Sequence, residues 1–214
     1  MELIAAGPDE QPIRRLSDLE VALGGRAAKV AFAMNAGMYD EDGRPIGLAV
    51  VEGRQKHPIN RREGGGNFHL LPNGVFQVDK NGRAQIIATP QWRPSRSIRL
   101  ATQSGPMLVI HGKLHPAFEP DGSSRYVRNG VGIAPGGTAQ FVISGEPVSF
   151  GKFARFFRDA LQAREALFLD GAVSALWDPT NGRRDVTRPL GPIMVAFKPE
   201  GAESKPGREG PARP

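Results

Sequence analysis

Phe168-Leu169-Asp170 ends a short apolar run in a lone acidic residue, followed at once by Gly171 and then by Ser174. Apolar runs of that length bounded by turn signals form buried strands. An Asp at the mouth of such a strand has its carboxylate held by a rigid scaffold and aimed into the space beyond, where sheet proteins often keep their chemistry. The same residues also fit a plain strand-ending Asp-Gly turn. Four further polar clusters fall at strand ends or in glycine-flanked turns: Asn35-Ala36-Gly37, Gly66-Asn67-Phe68-His69, Gln103-Ser104-Gly105-Pro106 and Arg128-Asn129-Gly130-Val131-Gly132. With Asp170 and Ser174 they supply one carboxylate, one guanidinium, one imidazole and several amides and hydroxyls. That set suits an oxygen-rich, negatively charged small molecule such as a sugar phosphate. Each cluster also has a purely structural reading: a turn for Asn35 to Gly37, a hydrogen-bonded core residue for His69, a solvated side chain for Arg128.

Other chemistries fit less well. The four histidines, His57, His69, His111 and His115, are scattered, and none lies in a His-Glu-x-x-His pattern, so no transition-metal site is expected. His111 and His115 flank a probable hairpin turn, where their spacing does not bring the rings together as it would on a helix. Gly-x-Ser-x-Gly is absent, which removes the common serine nucleophile. Gly64-Gly65-Gly66 is followed by neither Lys-Ser/Thr nor a helix, so it is not a nucleotide loop. Asp40-x-Asp42-Gly43 lacks the remaining ligands of a calcium loop and reads as a hairpin turn. No cofactor is expected, although Asp170 with amide and backbone oxygens could hold a hard cation such as calcium or magnesium.

The elements that must position these residues are mostly strands. With 27 Gly and 19 Pro in 214 residues, tight turns between short strands are favoured over a helical bundle. Strands are expected at Lys29–Met34, Gly47–Val51, Ala84–Ala88, Ile98–Thr102, Met107–Ile110, Val131–Ala134, Phe141–Ser144, Ala166–Leu169 and Ile193–Phe197. Asn73-Gly74 reads as a two-residue turn joining strands Phe68–Leu71 and Val75–Val78. One helix opens at Leu16-Ser17-Asp18-Leu19-Glu20, with Ser17 as N-cap and Glu20 completing a capping box, and ends at Gly24-Gly25. A second is capped by Ser149 and buries a stripe of Phe153, Phe156, Phe157, Ala160 and Leu161. The expectation is an α+β fold, a single strand-rich domain over residues 1–197 with mixed β-sheets and two principal helices, followed by a disordered tail at 198–214.

A net charge of +6 raises nucleic acid as a partner. The arginines are dispersed, however, and aromatics make up only 7% with none patterned for base stacking, so no nucleic-acid partner is expected. No stretch approaches the length of a membrane span, and the first residues do not form a signal peptide. Cysteine is absent, so redox compartment cannot be read.

Phe32-Ala33-Met34-Asn35-Ala36-Gly37-Met38-Tyr39, Gly66-Asn67-Phe68-His69-Leu70, Ala101-Thr102-Gln103-Ser104-Gly105-Pro106-Met107-Leu108, Arg128-Asn129-Gly130-Val131-Gly132 and Phe168-Leu169-Asp170-Gly171 with Ser174 occur in that order. This series resembles the phosphodiester glycosidase family, which includes the enzyme that uncovers mannose-6-phosphate tags by removing N-acetylglucosamine. It looks closest to the short, single-domain bacterial branch, and the likeness runs from about Val30 to Phe197. The resemblance implies a hydrolase acting on an N-acetylglucosamine-type sugar-1-phosphodiester, small or polymeric. Asp170 would then be the catalytic carboxylate, Arg128 the phosphate ligand and His69 an acid or second phosphate ligand. Asn35, Gly37, Asn67, Ser104, Asn129 and Ser174 would bind substrate. Family members tend to carry Leu-Asp-Gly-Gly-Gly-Ser, whereas Ala172-Val173 stand here in place of glycines and could narrow the site. A non-catalytic module for anionic glycans or sugar phosphates is the alternative. Many members are exported and begin with a further strand, so a periplasmic or extracellular location and an upstream strand with an export signal are expected; oligomeric state is not readable.

Overall fold

The computed structural model describes residues 1–170 and 173–199. In chain order, β1 (Glu2–Ile4) leads to α1 (Leu16–Leu23), and a 3-10 turn precedes β2 (Val30–Asn35). Next come β3 (Ala49–Val51), β4 (Arg54–His57), β5 (Gly74–Asp79), β6 (Ala84–Ala88), β7 (Ile98–Ser104), β8 (Met107–Ile110) and β9 (Lys113–Leu114). After β10 (Asn129–Ile133) and β11 (Ala139–Ile143), α2 (Phe150–Arg155) runs into a π-helical turn at Phe156–Ala160. β12 (Glu165–Asp170), β13 (Leu176–Asp178), β14 (Arg183–Arg184) and β15 (Ile193–Phe197) complete the described chain.

The strands form three five-stranded sheets ordered β1-β15-β2-β13-β14, β11-β10-β12-β8-β9 and β4-β3-β7-β5-β6. The α+β class and the two principal helices agree with the sequence. Every described ladder is antiparallel, where mixed sheets were expected. β15 ends at Phe197, and the tail expected at 198–214 lies almost wholly outside the described residues.

One apolar core joins all three sheets: Leu3 and Met194 come from the first, Met107, Leu167 and Leu169 from the second, and Phe76 and Leu100 from the third. α1 lays Leu16, Leu19 and Leu23 against Val30, Ala33 and Val195 of the first sheet. α2 and the π-helical turn after it bury Phe153 and Phe157 against Leu108, Ala166 and Phe168 of the second. The glycine spacing in Asn129-Gly130-Val131-Gly132 serves this contact. A Cβ on Gly132 would sit 2.6 Å from the Phe157 ring, so the strand must be bare where the helix rests on it.

Three local expectations fail. Of the expected buried stripe, Phe156 and Ala160 are exposed. Phe68–Leu71 is not a strand: Asn67–His69 forms a 3-10 turn with Phe68 buried. Asn73 is buried and used as a bracket, its amide donating to the Phe68 carbonyl and its own carbonyl accepting from Thr89. The hairpin at this point is instead β5–β6, turning through Lys80–Arg83. Nor does Ser17 cap α1. The N-cap is Arg15, Ser17 already lies in the helix, and Glu20 pairs with Arg184 of β14. Burial of Leu16 sets the start two residues early, overriding the capping signal. Gly24 ends the helix with φ 52°, as expected, and Ser149 caps α2 by accepting from Lys152 N–H.

Buried Gln103 locks the third sheet to the loop before it. Its Oε1 accepts from the Leu48 and Asn60 amides at 3.0 and 2.9 Å, and its Nε2 donates to the Asn60 carbonyl and Thr89 Oγ1 at 2.7 and 3.1 Å. Gln103→Leu keeps the volume but strands these groups, each worth about 1–3 kcal/mol when buried unpaired. A loss of at least about 3 kcal/mol in unfolding free energy, read by urea denaturation, is the expected result.

Candidate active site

Asp170 ends β12 directly opposite Asn129, the first residue of β10. Only 5% of its surface is exposed, so its carboxylate must be held by neighbours. Asn35, at the end of β2 in the first sheet, donates Nδ2 to Asp170 Oδ2 at 2.8 Å and to the Val173 carbonyl at 2.6 Å. Asn35 Oδ1 accepts from the Ala175 amide at 2.8 Å and from Asn129 Nδ2 at 3.0 Å, while Asn129 Nδ2 also donates to the Asn35 carbonyl at 2.7 Å. One amide side chain thus pins the carboxylate, the strand after it and the neighbouring strand. Asn129 Oδ1 is buried with no hydrogen-bond partner among the described residues.

The backbone behind Asp170 is equally constrained. The Leu169 carbonyl accepts from Ser104 Oγ at 2.7 Å and from the Gly37 amide at 3.1 Å. Gly37 has φ 112°, and a Cβ there would lie 2.4 Å from Thr102 Oγ1, so the position demands glycine. Ser174 Oγ donates to the Val127 carbonyl at 3.0 Å, fastening the strand exit to the segment that precedes Arg128. Gly171 and Ala172 lie outside the described residues. Val173, expected as a bulk beside the site, is buried in the apolar cluster with Ala33, Ala175 and Trp177.

Arg128 is fully buried. Its Nε donates to the Val148 carbonyl at 2.8 Å and one terminal nitrogen to the Ser124 carbonyl at 2.9 Å. The other terminal nitrogen, Nη1, is buried with no partner, and Arg128 forms no ion pair among the described residues. Burial lowers its pKa to about 10, which leaves it cationic at neutral pH. The guanidinium lies 3.6 Å from the Phe150 ring centroid, with Tyr126 and Phe168 at 5.6 and 5.4 Å. Such contacts offset part of the desolvation cost without neutralising the charge. Phe150 stacks on Phe118 (4.9 Å, 10°), and Phe118 on His115 (4.7 Å, 27°), giving a column behind the cation.

His115 closes that column, bound to the Leu71 carbonyl through Nε2 and accepting the Ala117 amide at Nδ1. Burial lowers its pKa from the ordinary 6.5, so the folded state prefers the neutral ring. The unfolded chain therefore binds the extra proton first, and stability contributed by the neutral ring is lost as pH falls below about 6.5. Thermal midpoints measured from pH 7.5 downward should fall through that range, less steeply in His115→Phe.

The structure brings Asp170, Asn35, Asn129, Gly37 and Ser104 into one bonded cluster, Ser174 is tied instead to the Val127 carbonyl, and Arg128 precedes Asn129 in the chain. His69 and Asn67 sit apart from its hydrogen bonds: His69 Nδ1 bonds to the Arg62 carbonyl at 2.9 Å and its ring meets Phe68 edge-on. Sequence reasoning missed the aromatic supports of Arg128, although Tyr126 and Arg128 share a period-two spacing. Tyr39 was also missed. Its phenol donates to the Pro189 carbonyl at 2.7 Å, and its pKa is raised to about 12 by burial and then by the charge of Asp170. Among the described residues no group of three or more His, Cys, Asp or Glu could hold a metal ion.

The buried carboxylate of Asp170, held by the Asn35 amide, and the buried guanidinium of Arg128, one residue before the strand partner of Asp170, sit on a three-sheet antiparallel scaffold. The chain matches the phosphodiester glycosidase family over residues 28–195 and belongs to it. It is 40% identical over 151 residues to "Uncharacterized protein YigE" of Escherichia coli (strain K12), a match covering 70% of this chain and 58% of that protein. The chain thus spans somewhat under two thirds of that relative. Its fold is similar to the zebrafish N-acetylglucosamine-1-phosphodiester alpha-N-acetylglucosaminidase catalytic domain auto-inhibited by pro-peptide. There the TM-score is 0.66 at 17% identity, covering 92% of this chain and 73% of the zebrafish chain.

Proposed function

We propose that the protein hydrolyses a sugar-1-phosphodiester at the bond between the anomeric carbon and the phosphate oxygen. The observation that carries this reading is the buried Nη1 of Arg128, a cationic donor without a partner one residue from the strand partner of Asp170. A guanidinium left unpaired in the interior is costly unless a ligand completes it, and phosphate oxygens do so with charge-assisted bonds. A sugar hydroxyl would likewise satisfy Asn129 Oδ1. Because Ser124 and Tyr126 cover the guanidinium, substrate entry involves displacement of the segment from Ser124 to Val127.

In the reaction, Asp170 takes a proton from water as its oxygen bonds to the anomeric carbon, or stabilises positive charge developing there. The bond to the phosphate oxygen breaks with its electron pair. A phosphomonoester leaves readily, so a second carboxylate for protonation, as ordinary glycosidases use, is less needed. Arg128 balances the charge on the departing group. The proton on Asp170 is then lost to solvent, leaving free sugar and phosphomonoester. Asn35 keeps the carboxylate aimed, while Gly37 and Ser104 fix its backbone.

The test is incubation with a panel of sugar-1-phosphodiesters, UDP-N-acetylglucosamine among them, in water enriched in heavy oxygen, with and without a chelator. Label in the released sugar is expected. Label in the phosphate would mean P–O cleavage. Saturable binding without turnover on any member would favour a non-catalytic sugar-phosphate module.

A further inference from the structure

A cleft of about 770 Å³ lies between β1, the terminal strand of the first sheet, and β4, the terminal strand of the third. Both strands are paired on one side only, so each presents a free backbone edge to the cleft. Arg26, Arg44, Arg54, Lys56 and Arg99 line it. They face three carboxylates, Glu2, Glu10 and Glu52, of which Glu2 is already held by Arg26 at 2.5 Å. Arg54 and Lys56 are exposed and both line this cleft, whereas Gln55 between them does not. Among the described residues neither side chain makes a hydrogen bond or ion pair, whereas Arg44 pairs with Asp42 at 3.5 Å and Arg99 donates to the Met1 carbonyl at 2.8 Å. Leu3, Val51 and Leu100 contribute an apolar floor.

We propose that this cleft is a second anion-binding site that seats a linear, phosphate-bearing glycan chain, with Arg54 and Lys56 as its principal ligands. The proposal rests on the reading of Asp170 and Arg128 as a sugar-phosphodiester site and names a polymer as its substrate class. Excess positive charge on an elongated surface, with backbone donors on both rims, matches phosphates repeated along a flexible chain. Nucleic acid is disfavoured because no Phe, Tyr or Trp is among the described lining residues, so bases have no platform to stack on. The cleft also leads toward the candidate active site. Arg44 and Pro45 on its rim belong to the turn that bridges back to Tyr39, the phenol that feels the charge of Asp170.

The experiment measures binding of a fluorescent phosphorylated dextran oligomer at low salt to the full chain and to the double variant Arg54→Ser/Lys56→Ser. Uncharged dextran and single-stranded DNA serve as comparison ligands. Wild type should bind the oligomer and not dextran. The double variant should lose about tenfold or more in affinity, the scale of two charge-assisted contacts, with an unchanged thermal midpoint. Its hydrolysis of a small sugar-1-phosphodiester should be unaltered. Equal oligomer affinity in variant and wild type, no wild-type binding, or DNA binding as tight and as sensitive to the variant would each overturn the proposal. Lost oligomer binding in the variant with no turnover by either protein would leave the cleft assigned and remove the hydrolase reading alone.

Discussion

Asp170→Asn should reduce turnover of the preferred sugar-1-phosphodiester by about 10²- to 10⁴-fold, the range expected when a positioned acid–base group is removed. The fold should survive, because the amide oxygen can still accept from Asn35 Nδ2 at the place of Oδ2, now 2.8 Å away. What disappears is the negative charge that would take a proton from water or face a cationic sugar carbon. Steady-state kinetics beside a thermal melt separate the two effects. A melt close to wild type with near wild-type rate would remove Asp170 from the reaction. A collapsed melt would point to a structural role, and Asn35→Ala, which frees the carboxylate without deleting it, would then distinguish aim from charge.

Arg128→Lys should be nearly as damaging, although it keeps the charge. Lysine has a single nitrogen and no planar face. It cannot reach the Val148 and Ser124 carbonyls together, rest on Phe150 and still offer a donor to phosphate. We expect a fall in kcat/KM of about 10²-fold or more and weaker inhibition by the phosphomonoester product. The two abandoned carbonyls should cost about 1–3 kcal/mol of stability. Free guanidinium added to Arg128→Ala should restore part of the rate. Wild-type kinetics in Arg128→Lys would show that the buried donor is not used.

How legible this site was differs from residue to residue. Asp170, Arg128 and Asn129 stood out because strand ends carry their own signals, an apolar run stopped by a polar residue and glycine. The family series added order along the chain. The work of Asn35 was not legible: it reads as a turn former, and only the meeting of β2 with β12 and β10 makes it the holder of a carboxylate 135 residues away. His69 misled for the opposite reason. Its local pattern suits a strand, but Asn73 and the buried ring of Phe68 fold the segment into a 3-10 turn whose imidazole caps the Arg62 carbonyl. The glycines around Val131 carry no legible reason in the sequence, and at Gly132 the reason is the Phe157 ring packed against the strand. Short edge strands such as β1, β4 and β14 were missed because two to four residues give too little periodicity to detect.

The anchoring of Asp170 by an amide from another sheet also limits how such a protein can diversify. A carboxylate clamped where two sheets join cannot be shifted without prising the sheets apart. On the proposed reading, a change of sugar would come from the peripheral segments, such as Tyr39 to Pro45 and Ser124 to Val127, around a centre that stays put.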